Sequence, residues 1–353
     1  RHTRYPLVTG VQTCALPISP LALSQLGLLR AASAGTTREQ VDSLLAEVAA
    51  TQGWSGTAQV ARRVTGAAGR QIAWPVLQGT DVGVAPGVAQ WAGEERAATD
   101  DRWRMTVDDT VSASLPWKAT LFDGHWGVGS TVYAMPMLRV QSGVTRYAGS
   151  DYRADAFAAN GLTLLLVQPT SAASLQAFGA ARLAAAVAES LPQVHAADAM
   201  PGEIVLPASL KAVSVSTGDW LKQRGVVLPY DEINADMHAF DSIGGVYAST
   251  AWLSSQIDWN VSGMALSAAS STAFLWSPKN VWTSSASGMF GVVAFDPWRS
   301  GSVTCPAADQ HPFFALLLSE TAADLQVLWA AAVQRPPSTD SCSVRTGFVI
   351  TGP

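Results

Sequence analysis

Apolar residues recur at helical spacing in "SPLALSQLGLLRAASAG", which opens at Ser19-Pro20 and stops at Gly35. A second helix is predicted in "TTREQVDSLLAEV". Thr36 precedes Glu39 by three residues, as in a capping box, and Val41, Leu44, Leu45 and Val48 share one face. "TAQVARRVTGAAG" carries a weaker helical pattern, and Gln71 to Val84 reads as strand. "PGVAQWAGEERAAT" reads as helix with Pro86 in its first turn. Strand patterns then dominate. "TVSASLPWKATLF", "STVYAMPMLRV" and "LTLLLVQP" are apolar or alternating runs bounded by turn residues. "SAASLQAFGAARLAAAVAESL" returns to helical spacing. "GEIVLPASLKAVSVS" reads as a strand pair, and "GDWLKQRGV" as a short helix capped by Asp219 and stopped at Gly225. "YASTAWLSSQIDWNV" is strand-like, and the chain closes on two strands, "PFFALLLSE" and "LQVLWAAAV", joined at "TAAD". Helices early and strands later, without regular βαβ alternation, predict an α+β fold with large mixed sheets.

One stretch fits neither period. "WNVSGMALSAASSTAFLW", Trp259 to Trp276, is made mostly of small residues and carries no charge. Such composition ordinarily marks a surface segment, yet this one lies between strand-like runs.

The chain has 353 residues, of which 48% are hydrophobic and 14% charged, with a formal net charge of -5. That balance argues against a nucleic-acid binder, which needs Lys and Arg in excess. No apolar run reaches membrane-spanning length, so no membrane partner is expected. Cys14, Cys305 and Cys342 form no zinc-finger spacing, and His2, His125, His195, His238 and His311 are scattered, so neither a metal nor another cofactor is expected. There is no Gly-x-Ser-x-Gly elbow or phosphate loop, and no catalytic residue is assigned. Residues 1–18, "RHTRYPLVTGVQTCALPI", resemble translated sequencing-adapter read-through; the alternative is a genuine irregular leader. On the first reading the native N-terminus is lost, and a signal peptide is not observable.

From residue 18 to 336 the sequence resembles the serpin family, in a bacterial-type form. "ISPLALSQLGLLRAASAGTTREQV" is similar to the family's opening helix and Gly-x-Thr-x-x-Gln turn, and "SLPWKATLFD" to its central strand. "YAMPML" resembles the Val-Pro-Met-Met element, and "EIVLPASLKAVSVSTGDWLKQRGVVLPYDEINADM" the stretch ending in the Asp-Phe loop. "ADQHPFFALLLSETAADLQVLWAAAVQRP" resembles the closing signature. The resemblance implies a serpin fold: a large central sheet, further sheets, a cluster of helices and an exposed reactive loop. It implies one domain over 19–336, a loop region over 262–304 and a C-terminal tail over 337–353. It also implies a monomeric, non-enzymatic inhibitor of a serine peptidase, or of a cysteine peptidase, that is extracellular or in the cell envelope. The alternative is a non-inhibitory serpin that acts as a binding or structural protein.

The same alignment gives the site. The hinge is Gly263, Met264, Ala265, Leu266, Ser267, Ala268, Ala269 and Ser270, a segment expected to enter the sheet as a strand after cleavage. Small uncharged side chains suit a segment that slides between packed strands. With a period of two, Met264, Leu266, Ala268 and Ser270 would face one side. Met264 and Leu266 stand where the family usually has Thr and Ala, and its central-sheet Asn and His fall at Ala113 and Leu253 by ungapped count. Counting forward from Gly263 puts the scissile bond near Ser277-Pro278, and counting back from His311-Pro312 puts it at Gly301-Ser302. The two differ by the insertion "KNVWTSSASGMFGVVAFDPWRSG". Lys279 and Arg299 are the basic candidates for a trypsin-like target. Cys305 and Cys342 flank the two closing strands, whose outer ends should be neighbours, so they are the candidate disulfide; two free thiols are the alternative.

Overall fold

The computed structural model describes residues 20–52, 61–67, 73–75, 88–90, 94–96, 101–128, 131–170, 175–208, 213–238, 245–277, 307–320, 325–333 and 341–343. Two helices open it, α1 (Pro20–Ala32) and α2 (Gly35–Gln52). Four short strands follow: β1 (Ala61–Ala67), β2 (Ala73–Pro75), β3 (Val88–Gln90) and β4 (Glu94–Arg96). Six longer ones come next: β5 (Trp103–Pro116), β6 (Thr120–Val128), β7 (Thr131–Val140), β8 (Val144–Ala148), β9 (Tyr152–Ala159) and β10 (Leu162–Pro169). Helix α3 (Leu175–Val194) kinks at Gly179, whose φ of 73° lies outside the helical range. After it come β11 (Met200–Pro201), β12 (Ile204–Pro207), β13 (Val213–Ser216), α4 (Thr217–Gln223) and a 3-10 turn at Leu228–Tyr230. The last strands are β14 (Val246–Asn260), β15 (Gly263–Trp276), β16 (Phe313–Glu320), β17 (Leu325–Val333) and β18 (Ser341–Ser343).

These strands make a six-stranded sheet in the order β13-β14-β15-β5-β1-β4 and a second one in the order β11-β8-β9-β10-β16-β17. A four-stranded sheet joins β12, β7, β18 and β6, and β2 pairs with β3. The fold class is α+β.

Among the described residues, the buried apolar side chains fall into three clusters. One joins Leu253, Ile257, Met264, Leu266 and Ala268 of the first sheet to Phe313, Ala315 and Leu317 of β16 and to Trp126 and Met137 of the four-stranded sheet. The second sets Leu26, Leu28 and Leu29 of α1 and Val41 and Leu44 of α2 against Met105, Val107, Tyr247 and Phe274. The third packs α3, through Leu183 and Val187, on Ala154, Leu165, Phe314 and Leu316. Continuous apolar runs such as Leu164–Val167 and Phe313–Leu318 are covered on both faces, which is why their sequence does not alternate.

Several expectations are corrected. The weak helix before Gly69 is β1: Ala61–Gly66 pairs antiparallel with Met105–Thr110, and tertiary pairing overrides a marginal helical pattern. The helix expected from Pro86 gives way to β3 and β4, and Glu94–Arg96 pairs parallel with Thr65–Ala67. β12 and β13 are not partners, since β12 pairs with β7 and β13 with β14. Helix α4 is capped by Ser216, whose Oγ accepts from the Asp219 amide at 3.3 Å, and not by Asp219 itself. Gly225, at φ 88°, follows it. The tail is more than a tail: Ser341–Ser343 pairs with Thr131–Tyr133.

Candidate functional site: the strand β15

The hinge segment is not an exposed loop here. From Gly263 to Trp276 it is a central strand, and this corrects the expectation that residues 262–304 are exposed throughout. On one side its register runs from Asn260↔Gly263 to Val246↔Trp276 of β14, and on the other from Gly263↔Pro116 to Leu275↔Trp103 of β5. Both backbone edges are therefore satisfied, and a segment of small uncharged residues permits this without burying a charge.

Alternation decides which side chains are enclosed. Met264, Leu266, Ala268, Ser270, Thr272 and Phe274 are buried, while Ala265 and Ser267 are exposed and Gly263 and Ala269 half-buried. Burying Met264, Leu266 and Phe274 contributes on the order of 5–9 kcal/mol. Ala113 lies opposite Leu266 and Leu253 opposite Ser270, so the positions matched to the central-sheet Asn and His of the resemblance both pair with this strand.

Each end of β15 is fastened. At the turn from β14, the Asn260 Oδ1 accepts from the Ser262 amide at 2.8 Å. The amides of Trp117 and Ala119 donate to the carbonyls of Ser262 and Val261 at 3.1 and 2.8 Å. The Trp117 indole N–H donates to the Asn260 carbonyl at 2.8 Å, and that of Trp259 to the Pro207 carbonyl at 2.7 Å. At the far end the Trp276 amide donates to the Arg102 carbonyl at 2.7 Å, and the Arg104 guanidinium lies 5.0 Å from the Trp276 ring centre. Ser277 is buried; its amide donates to the Gly245 carbonyl at 2.8 Å and its Oγ to the Glu232 carboxylate at 2.6 Å.

Between the two apolar clusters that β15 crosses lies a polar belt that the sequence did not disclose. Asp109 of β5, 1% exposed, pairs with Arg62 of β1 through Nε at 2.7 Å and Nη2 at 2.8 Å, and accepts from the Ser24 Oγ at 2.6 Å. Arg62 Nη2 also donates to the Ser24 Oγ at 2.8 Å. Gln25 Nε2 donates to the carbonyls of Trp252 and Ser271 at 3.0 and 3.3 Å. The only sequence signal was a Ser-Gln pair interrupting the apolar face of α1. Lys279, Arg299, Gly301 and Cys305 lie outside the described residues. Cys342 stands in β18 opposite Val132.

No family model and no curated protein sequence matches this chain. Solved structures do match. A cleaved form of Serpin 42Da aligns over 90% of this chain and 91% of its own, with a TM-score of 0.60 and 14% identity. The fold is that of the serpins. The viral serpin CrmA aligns over 76% of this chain and 96% of its own, at a TM-score of 0.53 and 12% identity. A loop-inserted, cleaved ovalbumin mutant covers 90% and 92%, at 0.57 and 11%. With the serpin fold in place, the six-stranded sheet β13-β14-β15-β5-β1-β4 corresponds to the large central sheet of the resemblance, and β15 is one of its inner strands.

Proposed function

We propose that this chain is a serpin-like inhibitor of serine-type peptidases, with Gly263–Trp276 as the mobile arm and the residues from Ser277 to Gly301 as bait. One observation carries the reading: β15 pairs with both neighbours and encloses one uncharged face. In the proposed cycle the peptidase serine attacks a bait carbonyl. The scissile C–N bond breaks, the new amine departs with a proton, and an ester joins peptidase to arm. The arm then takes the place β15 occupies in this structure, before water can cleave the ester. The trapping form is accordingly one in which Gly263–Trp276 lies outside the sheet. The likeness to cleaved serpins supports this direction of motion.

A second reading has its own observation. Met264 and Leu266 fill the buried face with bulk, which stabilises the strand once in place but slows its passage between β14 and β5. On that reading the chain is a binding or structural serpin whose bait is cut without trapping. Incubation with trypsin-, chymotrypsin-, elastase- and subtilisin-type peptidases separates the two. A peptidase–inhibitor band that survives boiling in detergent supports inhibition, and cleavage without such a band by every peptidase that cuts the bait rejects it.

A further inference from the structure

Asn260, Val261 and Ser262 make the one Asn-x-Ser/Thr sequence in the chain, the acceptor pattern for N-linked glycans. They form the turn between β14 and β15, and all three are exposed. The Asn260 Oδ1 accepts from the Ser262 amide at 2.8 Å. That bond fixes the side-chain amide by its oxygen. Among the described residues, neither the Asn260 Nδ2 nor the Ser262 Oγ has a hydrogen-bond partner. The bonds from Trp117 and Ala119 to this turn go to its backbone carbonyls, so they hold it without covering its side chains.

Asp258 extends the pattern. It lies two residues before Asn260 on the same face of β14, about 6.7 Å away by strand rise, and both are exposed. The Gln256 Nε2 donates to its Oδ2 at 2.9 Å and steadies the carboxylate. Trp259 between them points the other way, 4% exposed, with its indole on the Pro207 carbonyl. A carboxylate fixed beside the acceptor offers an enzyme's Arg or Lys a contact with which to select this turn.

We propose that Asn260 is an N-glycan acceptor, read through Ser262 and Asp258. The donor is an oligosaccharide carried on a polyprenyl diphosphate. Nδ2 forms a bond to the anomeric carbon, the bond from that carbon to the diphosphate oxygen breaks, and Nδ2 loses one proton. Polyprenyl diphosphate departs with the electron pair, and nothing is oxidised or reduced. The glycan projects from the outer face of the sheet, so the pairing of β14 with β15 is left intact. The site involves no peptidase and stands apart from the inhibitor reading.

The test uses the purified full chain, an oligosaccharyltransferase of the bacterial kind, whose acceptors carry an acidic residue two before Asn, and a polyprenyl-diphosphate-linked oligosaccharide. Conditions are those under which a standard acceptor peptide is consumed. Intact mass should rise by one oligosaccharyl group, and peptide mapping should place it on Asn260. Ser262→Ala removes a hydroxyl but keeps the amide that Asn260 binds. It should melt within about 2 °C of the unsubstituted protein and take up no glycan. Asp258→Ala should slow transfer about tenfold, and Asp258→Glu should restore it to within about threefold. A full chain left unmodified overturns the proposal, as does transfer that persists in Ser262→Ala or stays within twofold in Asp258→Ala.

Discussion

The weakest part of β15 should be its polar stretch, and it can be strengthened. The Ser270 and Thr272 hydroxyls are 2% and 1% exposed and have no hydrogen-bond partner among the described residues. Ser270 faces Leu253 and Asp109 in register, and Thr272 faces Ala251 and Val107. The Asp109 carboxylate is already taken up by Arg62 and Ser24. An unmade hydrogen bond at a buried hydroxyl costs about 1–3 kcal/mol, whereas an apolar replacement of the same shape restores most of that. Ser270→Ala with Thr272→Val should therefore stabilise the protein by about 2–4 kcal/mol, raising Tm by roughly 3–5 °C for a chain of this size. Ser267→Ala, on the exposed face of the same strand, should change Tm by less than about 1 °C. Calorimetry on the three proteins measures the difference. A fall in Tm for the double variant would refute the reasoning, because it would mean that both hydroxyls hold bonds worth more than their burial costs.

Two other perturbations probe the fastening of the fold. A Cβ on Gly263 would lie 2.8 Å from the Leu115 carbonyl oxygen, a backbone atom that cannot swing away, so Gly263→Ala should cost about 1–3 kcal/mol in urea unfolding. On α3, hydrogen bonds from Arg182 hold the carboxyls of Asp151 and Glu189 below their ordinary values. Groups with depressed folded pKa stabilise at neutral pH and lose that contribution as pH falls through the folded value, so Arg182→Gln should destabilise at pH 7 and progressively less below about pH 4, read from urea midpoints against pH.

Much of this architecture was legible in sequence. Long helical and apolar periods in α1, α2, α3, β10 and β16 each bury a whole face or both faces, and the pattern records that directly. Short elements were misread where pairing partners are distant. Arg62, Val64 and Gly66 of β1 say little until β5 lies beside them, nearly fifty residues on. The Gly263 segment was the hardest case, since its residues suit solvent and sheet equally and only the flanking strands decide between them. The polar belt was invisible for a related reason: Ser24, Gln25, Arg62 and Asp109 are ordinary surface residues in sequence, and only their convergence under β15 gives them a role.

Chain length bears on what a cut in the bait would achieve. β15 spans 14 residues, or about 46 Å, from Trp276 to Gly263, which faces Pro116. From Pro116 the path continues through Thr120 and along most of β6 to Gly127, where a Cβ would meet Ala308. That route is roughly 80 Å by strand rise. Residues 278–306 number 29, with an extended reach of roughly 96–104 Å. An unbroken chain can therefore connect Ser277 to Ala307 with β15 already in the sheet, and the insertion that lengthens this segment relative to the family supplies the slack. Cleavage of a chain in that state releases no constraint and adds no strand, so the inhibitor reading requires the uncut protein to keep Gly263–Trp276 outside the sheet. On that reading the expected outcome is that protein nicked within 278–306 melts tens of degrees above the uncut protein. A melting temperature that stays within about 2 °C on nicking would show instead that the uncut chain already holds Gly263–Trp276 in the sheet, as the binding or structural reading requires.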